Sequence, residues 1–172
     1  MAGPLLDLRE LCVSFRSGPA RAPVYLRAVD GVSLQVPAQT SLGIVGESGS
    51  GKSVTNLSIM RLIPQPPGRI VSGEIVFDGQ DLLALRPDAM RTIRGKRIAM
   101  IFQDPMTALN PLFTVATHLV DVLKRRHPGI ARADALGRAR EALVSVGIAD
   151  PDLRLAAYPH QLSGGMRQRV MI

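Results

Sequence analysis

The sequence predicts an α/β fold, a sheet core followed by a helical part, and three observations lead to it. Strand-like runs dominate the N-terminal half, helical periodicity takes over from Val115, and one apolar run passes through a glycine-rich turn directly into a helix. In order, Leu5–Phe15 reads as a strand that ends in the breaker Ser17-Gly18-Pro19. Val24–Val29 and Val32–Val36 have extended character, and Ser41–Val45 is a short apolar run ending at Gly46, the pattern of a buried strand. Lys52–Leu62 is helical and is stopped by Pro64 and Pro66-Pro67-Gly68. Ile70–Phe77 is a strand turning at Asp78-Gly79, a favoured hairpin dipeptide, and Ile98–Phe102 is a second short buried strand with polar Gln103-Asp104-Pro105 at its exit. Val115–Arg126 and Ala133–Val146 are helices separated by His127-Pro128-Gly129, with Gly147 as a C-cap. The expected division is a sheet core over 1–104 and a helical part over 105–172.

Composition bounds what such a chain can do. At 172 residues and 46% hydrophobic it has the length and apolar content of a globular domain. Aromatics make up 3% and tryptophan is absent, so the core must be aliphatic. The single cysteine, Cys12, excludes an intramolecular disulfide and argues against a thiolate metal cluster; within Leu11-Cys12-Val13 it reads as a buried structural thiol. The opening MAGPLLDLRE lacks a basic-then-apolar leader, and no stretch reaches the roughly 18 apolar residues of a membrane span. The net charge of +7 suits an acidic partner, yet the arginines are scattered from Arg9 to Arg169 with only short clusters at Arg91–Arg97 and Lys124–Arg126. A solvated surface is the better reading of that charge, and no nucleic-acid partner is expected.

The chemistry concentrates in Gly46-Glu47-Ser48-Gly49-Ser50-Gly51-Lys52-Ser53, which has the spacing G-x-x-x-x-G-K-[ST]. Glycines 46, 49 and 51 let the backbone curl so that successive N–H groups converge on phosphate oxygens. The helix that starts near Lys52 and continues through Val54 adds the positive end of its dipole. Lys52 supplies a mobile charge for β- and γ-phosphates, and the Ser53 hydroxyl is a Mg²⁺ ligand. A Gly/Ser-rich linker that happens to hold a lysine is the competing reading, but a linker would not sit between an apolar strand and a helix. The loop therefore points to a nucleoside triphosphate, ATP with Mg²⁺.

A second motif, Leu162-Ser163-Gly164-Gly165-Met166-Arg167-Gln168-Arg169, places Ser163 to N-cap a helix whose first turn is bare of side chains. A chain with separate anion-binding features is understandable when two chains share two nucleotides. LSGGMRQR resembles the signature motif of ATP-binding cassette (ABC) ATPases, and Gln103, after a strand-like run, matches their Q-loop glutamine. GIVGESGSGKS at Gly43–Ser53, FQDPMTALNP at Phe102–Pro111 and YPHQL at Tyr158–Leu162 are similar to the ATPase subunits of oligopeptide, dipeptide and nickel importers. The resemblance runs from Leu5 to Ile172 with the motifs in the family's order.

That resemblance implies an ABC-type P-loop NTPase core with an N-terminal antiparallel β-subdomain and a helical subdomain. It implies a head-to-tail pair of cassettes, a homo- or heterodimer, with ATP between Gly46–Ser53 of one and Ser163, Gly164 and Gly165 of the other. Gln103 would touch Mg²⁺ and the attacking water. Phe15 is the candidate to stack on adenine, with Tyr25 as its rival, and either ring could simply be core. The partners implied are a second ATPase subunit, transmembrane permease subunits and, indirectly, an extracytoplasmic solute-binding protein, with the chain peripheral on the cytoplasmic face of the membrane. The family's Walker B aspartate, catalytic glutamate and switch histidine find no match up to Ile172; Asp78, Asp104, Asp150, Asp152 and histidines 118, 127 and 160 are poor substitutes. The expectation is an N-terminal piece of a longer ATPase, with the C-terminal part of the core missing, inactive and unstable alone. A soluble ABC ATPase acting on nucleic acid or ribosomes, or a non-catalytic remnant, are the alternatives. The transported substrate is not legible.

Overall fold

The computed structural model describes residues 3–19, 21–102 and 108–172. The chain divides into two compact units, Met1–Ile98 and Ala99–Ile172. The first unit is built on an antiparallel sheet of four strands, β1 (Leu6–Ser17), β2 (Val24–Val36), β3 (Gly68–Phe77) and β4 (Gln80–Asp81), in the order β2-β1-β3-β4. Asp78 and Gly79 between β3 and β4 both have positive φ, 49° and 76°, as the tight hairpin turn demands. Helix α1 (Lys52–Ile59) and helix α2 (Pro87–Ile93) complete the unit. Leu8, Leu11, Val13, Val29, Ile75 and Phe77 from the sheet form one aliphatic-rich core with Leu82, Met90 and Ile93, and Val54 and Ile59 of α1 pack against it.

The sheet carries a line of irregularity across three strands. Glu10 in β1 has φ 46°, Gly31 in β2 has φ 64° and Gly73 in β3 has φ 103°. The β1–β2 register shifts between Leu8 and Leu11, between Leu11 and Val13 and between Val13 and Ser14, and the β1–β3 register between Arg9 and Cys12 and between Cys12 and Val13. Each bulge inserts one residue, so the core-facing set changes parity. In β1 it passes from Leu6 and Leu8 to Leu11, Val13 and Phe15; in β3 from Ile70 to Ile75 and Phe77; in β2 from Val29 to Val32 and Leu34. Val24–Val29 and Val32–Val36 are therefore one strand, because Asp30-Gly31 is absorbed as a bulge and not as a turn. Close packing follows: a Cβ on Gly73 would lie 2.6 Å from the Leu11 Cα and 2.7 Å from the carbonyl oxygens of Arg9 and Glu10. Cys12 is half-buried, and its sulfur accepts from the Gly31 N–H at 3.2 Å, a structural role within the same line.

Two expected strands did not form. Ser41–Val45 and Ile98–Phe102 carry no ladder among the described residues beyond an isolated bridge between Arg94 and Ile98. Val45 is 95% exposed and Ile101 53%, because an apolar run becomes a strand only where neighbouring backbone pairs with it. Helix α1 ends three residues before the predicted Leu62: the Arg61 N–H donates to the Ser58 carbonyl at 2.9 Å and the Leu62 N–H to the Leu57 carbonyl at 2.8 Å. This is a Schellman end, with Arg61 at φ 51° in the left-handed position that glycine usually fills.

The second unit is helical. Helix α3 (Val115–Arg126) starts at Thr114, whose hydroxyl accepts from the Thr117 N–H at 3.3 Å, and ends on Lys124, Arg125 and Arg126, which complement its dipole. Helix α4 (Arg132–Ser145) buries Ala135, Ala139 and Leu143, one residue per turn, and closes with Gly147 at φ 72°. Helix α5 (Pro151–Ala156), a 3₁₀ turn (Pro159–Gln161) and helix α6 (Gly164–Met171) follow. Val115, Leu143, Ile148, Leu155, Leu162 and Val170 bring these elements into one core. Among the described residues no helix is long and apolar enough to cross a membrane.

Candidate nucleotide-binding site

The first unit positions residues 46–53 as a loop wrapped around its own lysine. The Lys52 ammonium donates to the Gly46 carbonyl at 2.7 Å, the Glu47 carbonyl at 2.6 Å and the Ser50 hydroxyl at 3.1 Å. These bonds bring the charge from the first residue of α1 back to the mouth of the loop. Gly51 is the N-cap at φ 89°, with no side-chain cap and no acidic residue in the first turn. The leading N–H groups of a helix have no intrahelical acceptor. They and the positive dipole end are thus presented without a competing side chain. Gly51 also lies against β2: a Cβ there would sit 2.5 Å from the Ala28 carbonyl oxygen, so only glycine lets the loop approach the sheet this closely.

The rest of α1 is secured from below. Thr55 and Ser58 are buried and satisfy their hydroxyls on carbonyls one turn back, Thr55 to Gly51 at 3.0 Å and Ser58 to Val54 at 2.7 Å. Ser53 is exposed at the start of the helix, with its hydroxyl available to a metal ion, while Val54 faces the core. The donor set fits a polyphosphate with Mg²⁺: one ammonium, a row of backbone N–H groups, one hydroxyl, and a glycine at the close-packed point.

The two aromatic candidates are placed differently. Phe15 lies opposite Leu26 and Gly68 in the sheet, packs against the core, and would meet a Cβ on Gly68 at 2.8 Å. Tyr25 is 48% exposed, and the Arg69 guanidinium sits 4.5 Å above its ring centroid. Gln103 lies outside the described residues.

In the second unit, the Ser163 hydroxyl accepts from the Met166 N–H at 3.3 Å, making it the N-cap of α6. Gly164 and Gly165 are exposed, and a Cβ on either would meet nothing within 4 Å. The helix is tied down at Leu162, whose carbonyl accepts from Arg167 Nε at 3.0 Å. Arg169 adds a second tie, with Nη1 donating to the Gly147 carbonyl at 2.7 Å. The 3₁₀ turn before it is closed by the Gln161 side chain, which accepts from the Tyr158 N–H at 2.8 Å. Ser163 through Gly165 thus form an open, bare helix start on a fixed base.

Sequence reasoning missed a pair of arginines at the far end of α1. Arg94, at the end of α2, donates from Nε to the Met60 carbonyl at 2.7 Å and from Nη2 to the Arg61 carbonyl at 2.8 Å. Arg61 in turn donates from Nη1 to the Leu82 and Leu85 carbonyls at 3.1 and 2.6 Å. Both had looked like ordinary surface charge, and nothing in their spacing marks them.

Known proteins resemble this chain in sequence and in fold. The dipeptide transport ATP-binding protein DppD of Haemophilus influenzae is 51% identical over 98% of this chain and 49% of its own length. The oligopeptide transport protein OppD of Bacillus subtilis is 47% identical over 98% of this chain and 46% of its own. The peptidoglycan transport protein YejF of Agrobacterium fabrum is 50% identical over 98% of this chain and 30% of its own. The chain thus spans about half, or less, of the relatives it matches. Among solved structures, the dimeric bacterial ABC transporter cassette MJ0796 superposes with a TM-score of 0.78 at 27% identity, covering 97% of this chain and 67% of that one. A post-hydrolysis dimer of the same cassette, bound to ADP and Pi, gives 0.77. The sequence model for ABC transporters matches residues 29–172, from just ahead of the phosphate loop through the glycine-led helix, and the chain belongs to that family.

Proposed function

We propose that this chain is the ATP-binding, energy-coupling part of an ABC importer for peptides or related small solutes, with ATP hydrolysis driving transport. The observation that carries the reading is the Lys52 ammonium, held over a loop that runs into the uncapped start of α1. The Gly46–Ser53 backbone would hold the phosphates, and Lys52 would exchange its bonds to Gly46 and Glu47 for the β- and γ-phosphate oxygens. Ser53, with Gln103, would hold the metal. Mg²⁺ held there would supply positive charge to offset that of the phosphates. Of the two rings, exposed Tyr25 is better disposed than core-packed Phe15 to meet an adenine face.

Ser163, Gly164 and Gly165 would offer their bare helix start to the nucleotide of a second cassette, identical or related. The names of the relatives support a transport role, and the dimeric cassette supports the pairing. Permease subunits are the proposed membrane partners, with a solute-binding protein acting through them and the chain at the cytoplasmic face. Residues 1–104 would supply the nucleotide core and 105–172 the helical part.

The test compares the intact protein with Lys52→Ala, measuring binding of a fluorescent ATP analogue with Mg²⁺ and, in the transporter, ATPase and peptide uptake. Loss of the lysine is expected to weaken binding at least tenfold, the equivalent of about 1.4 kcal/mol, and to abolish uptake. Uptake that persists without ATPase would overturn the energy-coupling role.

A further inference from the structure

We propose that Arg94 is a positioning residue for the phosphate-binding loop: it grips the far end of α1 and, through that short helix, sets where the loop sits. This rests on the nucleotide reading above. The geometry has three parts. First, the guanidinium fork spans consecutive carbonyls, Met60 and Arg61, in the turn that closes the helix. Second, Arg94 is itself immobilised. Its N–H donates to the Met90 carbonyl, and the N–H groups of Lys96, Arg97 and Ile98 all converge on the Ile93 carbonyl.

Third, the gripped end is strained in a way that its contacts explain. Arg61 occupies φ 51°, a conformation costly for a residue with a Cβ, and its side chain fastens that turn to the Leu82 and Leu85 carbonyls. Burial, and then the neighbouring Arg61 charge, push the Arg94 guanidinium down from its ordinary value. Two cations held together at one helix end are unfavourable unless carbonyl oxygens offset them, and four carbonyls do so here.

The mechanical consequence lies at the opposite terminus. Helix α1 has eight residues and so is about 12 Å long. Its start is already wedged by Gly51 against Ala28. With both ends fixed, the helix cannot slide along its axis, and Lys52 and the first N–H groups keep their place. Releasing Arg94 leaves the far end to the Arg61 side chain and the packing of Val54 and Ile59, with the Gly51 contact as the fixed point at the start.

The experiment uses the intact protein, with Arg94→Met to remove both bonds and Arg94→Lys to keep the charge without the fork. Affinities for Mg·ATP and for AMP, which lacks the β- and γ-phosphates assigned to Lys52, are measured well below the thermal midpoint, with circular dichroism as the check on folding. Arg94→Met is expected to weaken Mg·ATP about tenfold and AMP less than twofold, and Arg94→Lys to fall between it and the wild type. Unchanged Mg·ATP affinity, or parallel losses for ATP and AMP, would overturn the proposal. If Arg94→Met does not fold, Arg94→Lys decides: an unchanged ATP-to-AMP ratio refutes the positioning role. Lys52→Ala separates the two readings. If it binds Mg·ATP like the wild type, both fall; if it loses binding while Arg94→Met does not, only the Arg94 proposal falls.

Discussion

Replacing Gly51 by alanine isolates the contact between the phosphate loop and the sheet, and Gly49 supplies its control. The two glycines have nearly the same backbone, φ 89° and 85°, so alanine at either position carries a left-handed penalty of about 1–2 kcal/mol. They differ in surroundings. A Cβ on Gly49 meets nothing within 4 Å, whereas one on Gly51 would be 2.5 Å from the Ala28 carbonyl oxygen and 3.5 Å from Val29 Cγ2. The near neighbour is backbone in a paired strand and cannot swing away, so helix α1 must move. Displacement of this kind costs a further ~1–3 kcal/mol. Gly51→Ala is therefore expected to lose about 2–5 kcal/mol against about 1–2 for Gly49→Ala, read as the shift of the urea midpoint at constant slope. Nucleotide affinity should fall in the same order. Equal losses for the two variants would refute the argument, because they would show that backbone conformation alone, and not proximity to β2, requires glycine at 51.

Two further outcomes follow from single side-chain contacts. Ser163→Ala removes the N-cap of α6, and amide exchange in that helix should quicken by an amount equivalent to about 1 kcal/mol, with helix α4 unaffected. Asp7, whose side chain is 6% exposed, accepts from Arg9 at 2.8 Å and from Gln35 at 3.2 Å; Asp7→Ala should cost about 1–3 kcal/mol in a denaturant titration. That cost should persist at 1 M salt, unlike the contribution of the exposed Arg9–Glu74 pair.

How legible the protein is in its sequence depends on whether the deciding interaction is local. The turn at 46–53 and the Ser163 cap are legible as local structure because glycine, lysine and a capping hydroxyl act within one turn of chain. Val115–Arg126 was readable for the same reason, with apolar period and caps agreeing. Helices α2 and α5 were missed because each is short and opens on a proline, Pro87 and Pro151, which reads as a breaker in sequence and serves as a first helical residue in the structure. The end of α1 was overrun because the left-handed residue is Arg61, and nothing about an arginine announces that geometry. Ser41–Val45 and Ile98–Phe102 failed for the opposite reason: their composition was strand-like, but a strand is made by the neighbour it pairs with. The Arg94 grip is wholly non-local, connecting residues 33 and 34 positions apart, and no spacing rule reaches that far.

The register irregularities around Glu10, Gly31 and Gly73 have a consequence for how this sheet can change. Removing Glu10 alone would rotate Leu11, Val13 and Phe15 out of the core while Ile75 and Val29 stayed in. Removing Gly31 or Gly73 alone would do the same to its own strand. Length changes here are therefore not independent events. A deletion tolerated at one of the three positions should be tolerated only with its two counterparts, so indels along this part of the sheet come as a coordinated set of three.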